Sequence, residues 1–133
     1  MGAVVADTHA ALWYLLNSQR LSANAAAALD GATQAGDPIY VASVSLVEVV
    51  YLVEKGRLPE FALERLNAAL SDPASGFVTA SLDLAVAQTL RHIPRDIVPD
   101  MPDRIIAATA LHLHLPLVTR DPDIQKTLIR TIW

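Results

Sequence analysis

Asp7, Glu48, Asp103 and Asp121 are the residues of this chain best placed for chemistry, because each falls where a short apolar run gives way to a helical pattern. In a parallel α/β sheet such junctions gather along the edge formed by the carboxyl ends of the strands, so acids distant in sequence converge in space. Converging carboxylates repel one another, and a bound cation removes the repulsion. The chain has no cysteine, and one histidine, His9, stands near the expected cluster. The ligands are then all oxygen, which favours Mg2+ or Mn2+ over zinc. One or two such ions suit phosphoryl chemistry, in which water is activated and the leaving oxygen of an in-line displacement is stabilised.

Each acid also has a purely structural explanation. Ser45-Leu46-Val47-Glu48 has the spacing of a capping box. Asp121 precedes Pro122 as an N-cap precedes N1, Asp100 can cap a helix in which Asp103 is the third residue, and Asp7 can cap its own helix. Capping accounts for each residue separately. It does not say why all four should follow strands at or near the centre of a sheet.

The elements that must position these acids alternate along the chain. The expected strands are Ala3 to Ala6, Ile39 to Ala42, Phe77 to Ala80, Pro116 to Thr119 and Ile129 to Trp133. Helices are expected from Thr8 to Leu16 and from Ser22 to Ala32, with Gly31, Gly36 and Pro38 marking the exit. A third carries Leu46, Val49, Val50 and Val53 on one face and ends at Gly56; a fourth starts near Pro59. Ser81 is the expected cap of a helix bearing Leu82, Ala85, Val86 and Leu90, and Pro102 opens a long helix to His114, with a short helical turn from Pro122. Strands alternating with helices imply a three-layer α/β/α sandwich around a mainly parallel sheet of about five strands.

Composition excludes several classes. The 133 residues suit one domain, and 53% apolar content is enough for a core. Without cysteine there is no disulfide, thiolate nucleophile or sulfur-bound zinc. The start of the chain lacks a basic n-region, and no apolar run approaches the ~20 residues that span a bilayer, so a soluble, cytoplasmic protein is expected. A net charge of −4 argues against nucleic-acid binding through a basic face, but two divalent cations would neutralise it. No Gly-Lys-Ser/Thr loop, G-x-S-x-G elbow or G-x-G-x-x-G fingerprint is present.

Four segments carry a resemblance that spans essentially the whole chain. Val5-Ala6-Asp7-Thr8-His9-Ala10-Ala11-Leu12-Trp13 resembles the first motif of PIN-domain nucleases, and Ser45-Leu46-Val47-Glu48 with Glu54-Lys55-Gly56-Arg57-Leu58 the second. Asp100-Met101-Pro102-Asp103-Arg104-Ile105-Ile106-Ala107-Ala108-Thr109-Ala110 resembles the third, and Val118-Thr119-Arg120-Asp121 the fourth. Size and motif style are similar to the VapC-like toxins of toxin–antitoxin pairs.

The resemblance implies a metal-dependent endoribonuclease that leaves 5′-phosphate and 3′-hydroxyl ends, works as a homodimer and is restrained by a VapB-like antitoxin. It implies that Asp7, Glu48 and Asp103 bind Mg2+ or Mn2+, that Asp121 assists, and that Asp100 is an accessory acid. Thr8 and Thr119 match hydroxyl positions that support the carboxylates or the attacking water. From their position beside these acids, Arg104 and Arg120 are candidates for binding the scissile phosphate, against simple pairing with the neighbouring carboxylates. Asp123 reads as a surface residue, His9 as a packing or hydrogen-bonding group, and Trp13 as core or dimer surface. Two alternatives stand beside this reading: a non-catalytic PIN-like binding module, and a haloacid-dehalogenase-like phosphatase, which wants an acid where His9 stands.

Overall fold

The computed structural model describes residues 2–133. Five strands, β1 (Val4–Ala6), β2 (Ile39–Ala42), β3 (Phe77–Ala80), β4 (Leu117–Val118) and β5 (Thr131–Ile132), form one sheet in the order β3-β2-β1-β4-β5. Every pairing is parallel, with Val5 opposite Tyr40 on one side and Leu117 on the other. The expected three-layer α/β/α arrangement is the one observed. Period-two alternation sorts the strand residues between its faces. Val4, Ala6, Ile39 and Val41 pack with Ala25, Leu29 and Ala32, whereas Val5 and Leu117 pack with Ile106, Ala107 and Ala110.

The helices are α1 (Thr8–Leu15), α2 (Ala23–Ala35), α3 (Ser43–Glu54), α4 (Glu60–Ser71), α5 (Leu84–Thr89) and α6 (Met101–Leu113). Helices α1, α2 and α4 supply the first face, and α5 and α6 the second. A third apolar cluster, Leu12, Val49, Ala62 and Leu66, ties α3 to α1 and α4. Small residues let α2 and α6 lie close to the sheet, which is why alanine rather than aromatic side chains fills so much of the core.

Several boundaries differ from the sequence expectation. Helix α2 runs through Gly31 and stops at Gly36, which takes the left-handed conformation at φ 73° that glycine adopts without strain. The cap of α5 is Asp83, whose carboxylate accepts the Val86 amide at 2.9 Å, and not Ser81. The Ser45–Glu48 capping box does not form. Helix α3 begins three residues earlier, on Ala42 without a side-chain cap, and Ser45 is buried within it. Strand β5 is two residues long, not five.

Strand order reverses at β1: the chain leaves it for β2 on one side and later returns to β4 on the other. Ligand crevices of open α/β sheets lie at such a switch point, beyond the carboxyl ends of the strands.

Candidate functional site

A cleft of about 420 Å³ opens at that edge, lined by Asp7, Thr8, His9, Glu48, Asp100, Asp103, Ile106, Arg120, Asp121 and Pro122. All five candidate acids therefore reach one space, though by different routes. Asp7 follows β1 directly, and Asp121 stands three residues after β4. Glu48 projects from the second turn of α3, behind β2. Asp103 does not follow a strand as expected; it enters on α6, which follows an irregular stretch containing Pro94 and Pro99.

Capping and convergence prove to be the same arrangement. Asp7 caps α1 with Oδ1, which accepts the Ala10 amide at 2.8 Å. Asp100 caps α6 with Oδ2 on the Asp103 amide at 3.1 Å. Asp121 Oδ1 accepts the amides of Asp123 at 2.8 Å and Ile124 at 3.2 Å. Each cap engages one carboxylate oxygen and so fixes the rotamer that places the side chain in the cleft. Glu48 is held differently. Thr8 Oγ1 lies 2.6 Å from Glu48 Oε1 and 2.9 Å from Ser45 Oγ. With one hydroxyl proton, Thr8 donates to the Glu48 carboxylate and accepts from Ser45. Buried Ser45 is thus a partner of Thr8 and not a cap; the signal in the sequence is a lone hydroxyl between Val44 and Leu46.

The acids raise one another's pKa. Burial raises the carboxyl of Asp7, against the Thr119 hydroxyl and the Ala10 amide, which lower it. Burial also raises Glu48, against the Thr8 hydrogen bond. Asp103 is pushed up from 3.8 to about 8 by burial, then by a hydrogen bond and charge repulsion from Asp121, and further by Asp100 and Glu48. A cation held among these acids would relieve that crowding. The donor set fits a hard divalent ion: several carboxylate oxygens and no sulfur. Among the described residues, no three acidic or imidazole side chains enclose a single point as they stand.

Other sequence candidates separate. Arg120 lines the cleft with its guanidinium 4.6 Å over the Trp13 ring. Arg104 neither lines the cleft nor pairs with the acids; its Nε donates to the Ile93 carbonyl at 2.8 Å. That bond draws its side chain to the segment before α6. Thr119 is buried, and its hydroxyl accepts the Asp121 amide at 3.0 Å. Asp123 stands outside the lining and pairs with Lys126 at 3.5 Å.

The PIN domain family model matches residues 4–128 of the chain. It is a PIN-domain protein. Within the family, it is 34% identical over 121 residues to Ribonuclease VapC22 of Mycobacterium tuberculosis (strain ATCC 25618 / H37Rv), covering 91% of this chain and 88% of that one. Its fold is shared with solved structures. VapBC2 from Rickettsia felis, bound to a DNA fragment from their promoter, gives a TM-score of 0.71 at 15% identity over 97% of this chain and 96% of that one. A toxin–antitoxin complex from Klebsiella pneumoniae gives 0.66 at 21% identity, over 98% and 96%. FitAcB from Neisseria gonorrhoeae gives 0.65 at 19%, over 96% and 95%. Membership of the PIN family sets aside the phosphatase alternative and its aspartyl nucleophile.

Proposed function

We propose that the chain is a metal-dependent endoribonuclease and the toxin of a toxin–antitoxin pair. The observation that carries this reading is the convergence of Asp7, Glu48, Asp100, Asp103 and Asp121, from four separate segments, on one cleft of a PIN fold. The 34% identity to a protein named as a ribonuclease supports the substrate class.

Asp7, Glu48 and Asp103 are the residues that would hold Mg2+ or Mn2+, with Asp121 assisting and Asp100 at the rim. When bound, such an ion supplies Lewis acidity that lowers the pKa of water and offsets the charge of a phosphate. The chain's own side chains do the rest. Thr8 and Thr119 hold Glu48 and Asp7 in place. The caps keep the acids from splaying apart while the substrate binds.

The partner part of the proposal rests on the VapBC and toxin–antitoxin relatives. A VapB-like antitoxin would lay a segment along the cleft edge and neutralise the acids. Exposed Val47, Tyr51 and Met101, which border an apolar groove beside Glu48, offer surface for a partner or for a second copy in a homodimer.

The test is digestion of total cellular RNA by purified, antitoxin-free protein with Mg2+, Mn2+ or EDTA, with fragment ends sequenced. Discrete metal-dependent cuts, lost in Asp7→Ala and Asp103→Ala, are expected. Equal cutting in EDTA would refute the metal reading. Metal binding without cutting of any RNA would favour the non-catalytic module.

A further inference from the structure

An acidic cleft repels a polyanion, and a cation held among the acids answers only the phosphate it touches. The flanking phosphates of the same strand need another positive group. Among the described residues lining the cleft, Arg120 is the one side chain with a permanent positive charge. Although it adjoins Asp121 in sequence, it forms no ion pair; the ion pair found among the described residues joins Lys126 to Asp123. Asp121 has Oδ1 tied to two turn amides, and the guanidinium has gone instead to Trp13, 4.6 Å from the ring centroid.

Trp13 is a firm platform. It is 8% exposed, and its ring is braced by Trp133 at 6.0 Å and by His9 at 5.4 Å, both tilted against it. A guanidinium lying over an aromatic face keeps its N–H groups free in its own plane, the geometry that grips phosphate oxygens in pairs. Pairing with a carboxylate would have used those donors.

We propose that Trp13 is a positioning residue that holds the Arg120 guanidinium at the lip of the acidic cleft to receive a backbone phosphate flanking the scissile bond. The inference rests on the ribonuclease reading and assigns Trp13 a task beyond core packing.

The experiment compares wild type with Arg120→Ala, Arg120→Lys, Trp13→Phe, Trp13→Leu and the Trp13→Leu/Arg120→Ala double variant. Binding of a short fluorescein-labelled single-stranded RNA of mixed sequence is followed by anisotropy in Mg2+ across a salt series, beside cleavage of total RNA. Arg120→Ala should weaken binding about tenfold. It should also lower the slope of log affinity against log salt by about 0.7, the loss of one phosphate contact to a single strand. Arg120→Lys should restore the slope but only part of the affinity, because lysine lacks the planar fork. Trp13→Phe should stay near wild type. Trp13→Leu should weaken binding several-fold alone and not at all in the Arg120→Ala background. Circular-dichroism melts show which variants fold; if Trp13→Leu does not, Trp13→Phe and Arg120→Lys still decide. An unchanged salt slope in Arg120→Ala, with wild type binding and cutting RNA, would overturn this inference alone. A wild type that neither binds nor cuts RNA would overturn the ribonuclease reading and this inference together.

Discussion

Replacing Asp103 with asparagine should make the metal-free protein more stable in neutral and alkaline solution, and should remove most of its pH dependence there. In the folded chain Asp103 is pushed up from 3.8 to about 8 by burial and by Asp121, Asp100 and Glu48. A carboxyl raised on folding favours the protonated form. Its stabilising effect is complete below the unfolded value of 3.8 and is lost as pH climbs through about 8. The full displacement is nominally worth about 6 kcal/mol. Asp103 is only half-buried, and solvent screening reduces the figure several-fold, to about 1–2 kcal/mol. Asparagine keeps the shape of the protonated acid and cannot ionise. In EDTA, wild type should therefore lose stability steadily from about pH 4 to pH 8 relative to Asp103→Asn. Above that range the variant should melt about 3–8 °C higher. Adding Mg2+ should reverse the order, because only wild type can release its proton and bind the ion. The assay is thermal and urea melting across pH in EDTA, repeated with Mg2+, with calorimetry in buffers of different ionisation enthalpy to count the proton released. Parallel pH profiles for the two proteins in EDTA would refute the reasoning.

Other substitutions test separate parts of the structure. Asp121→Asn should let the Asp103 carboxyl fall back toward its usual range, visible by carboxyl-carbon NMR titration, because it removes the largest neighbouring cause of the rise. Thr8→Val removes the 2.6 Å hydrogen bond to Glu48; it should cost about 1–2 kcal/mol in melts. Calorimetry should show Mg2+ affinity down about tenfold in the same variant, and an unchanged affinity would remove Thr8 from the site. Asp83→Ala should destabilise α5 by about 1 kcal/mol while Ser81→Ala does nothing, since Asp83 is the observed cap. Leu29→Ala, at a fully buried position between α2 and the sheet, should cost about 2–5 kcal/mol with no change in the cleft.

Strand–helix alternation was legible because its signals are local. Val4 to Ala6 and Ile39 to Ala42 read as apolar runs, and the Pro and Gly breaks fell where the chain turns. The order β3-β2-β1-β4-β5 was not legible, since pairing partners are chosen by long-range packing that no short window contains. Convergence follows from the edge where a parallel sheet gathers its strand ends, but for Asp103 that edge is not enough. It arrives on α6 after a loop, and the sheet does not place it directly. The spacing of Ser45 suits a cap, but spacing alone cannot show which face of a helix is buried. Arg104 and Arg120 looked equivalent in sequence, each beside a proposed ligand. Their partners, the Ile93 carbonyl and the Trp13 ring, lie 11 and 107 positions away, beyond any pattern in the local sequence.

The way the carboxylates are tethered sets a limit on denticity. Asp7, Asp100 and Asp121 each have one oxygen committed to a backbone amide, and Glu48 has one committed to Thr8. Each keeps a second oxygen free of these bonds for a cation entering the cleft. An ion that demands several chelating carboxylates, as large Ca2+ often does, would have to share those oxygens with the caps. A small octahedral ion that keeps some of its water would not need to. The hydrogen bonds that begin the helices would thus also bear on which cation this cleft prefers.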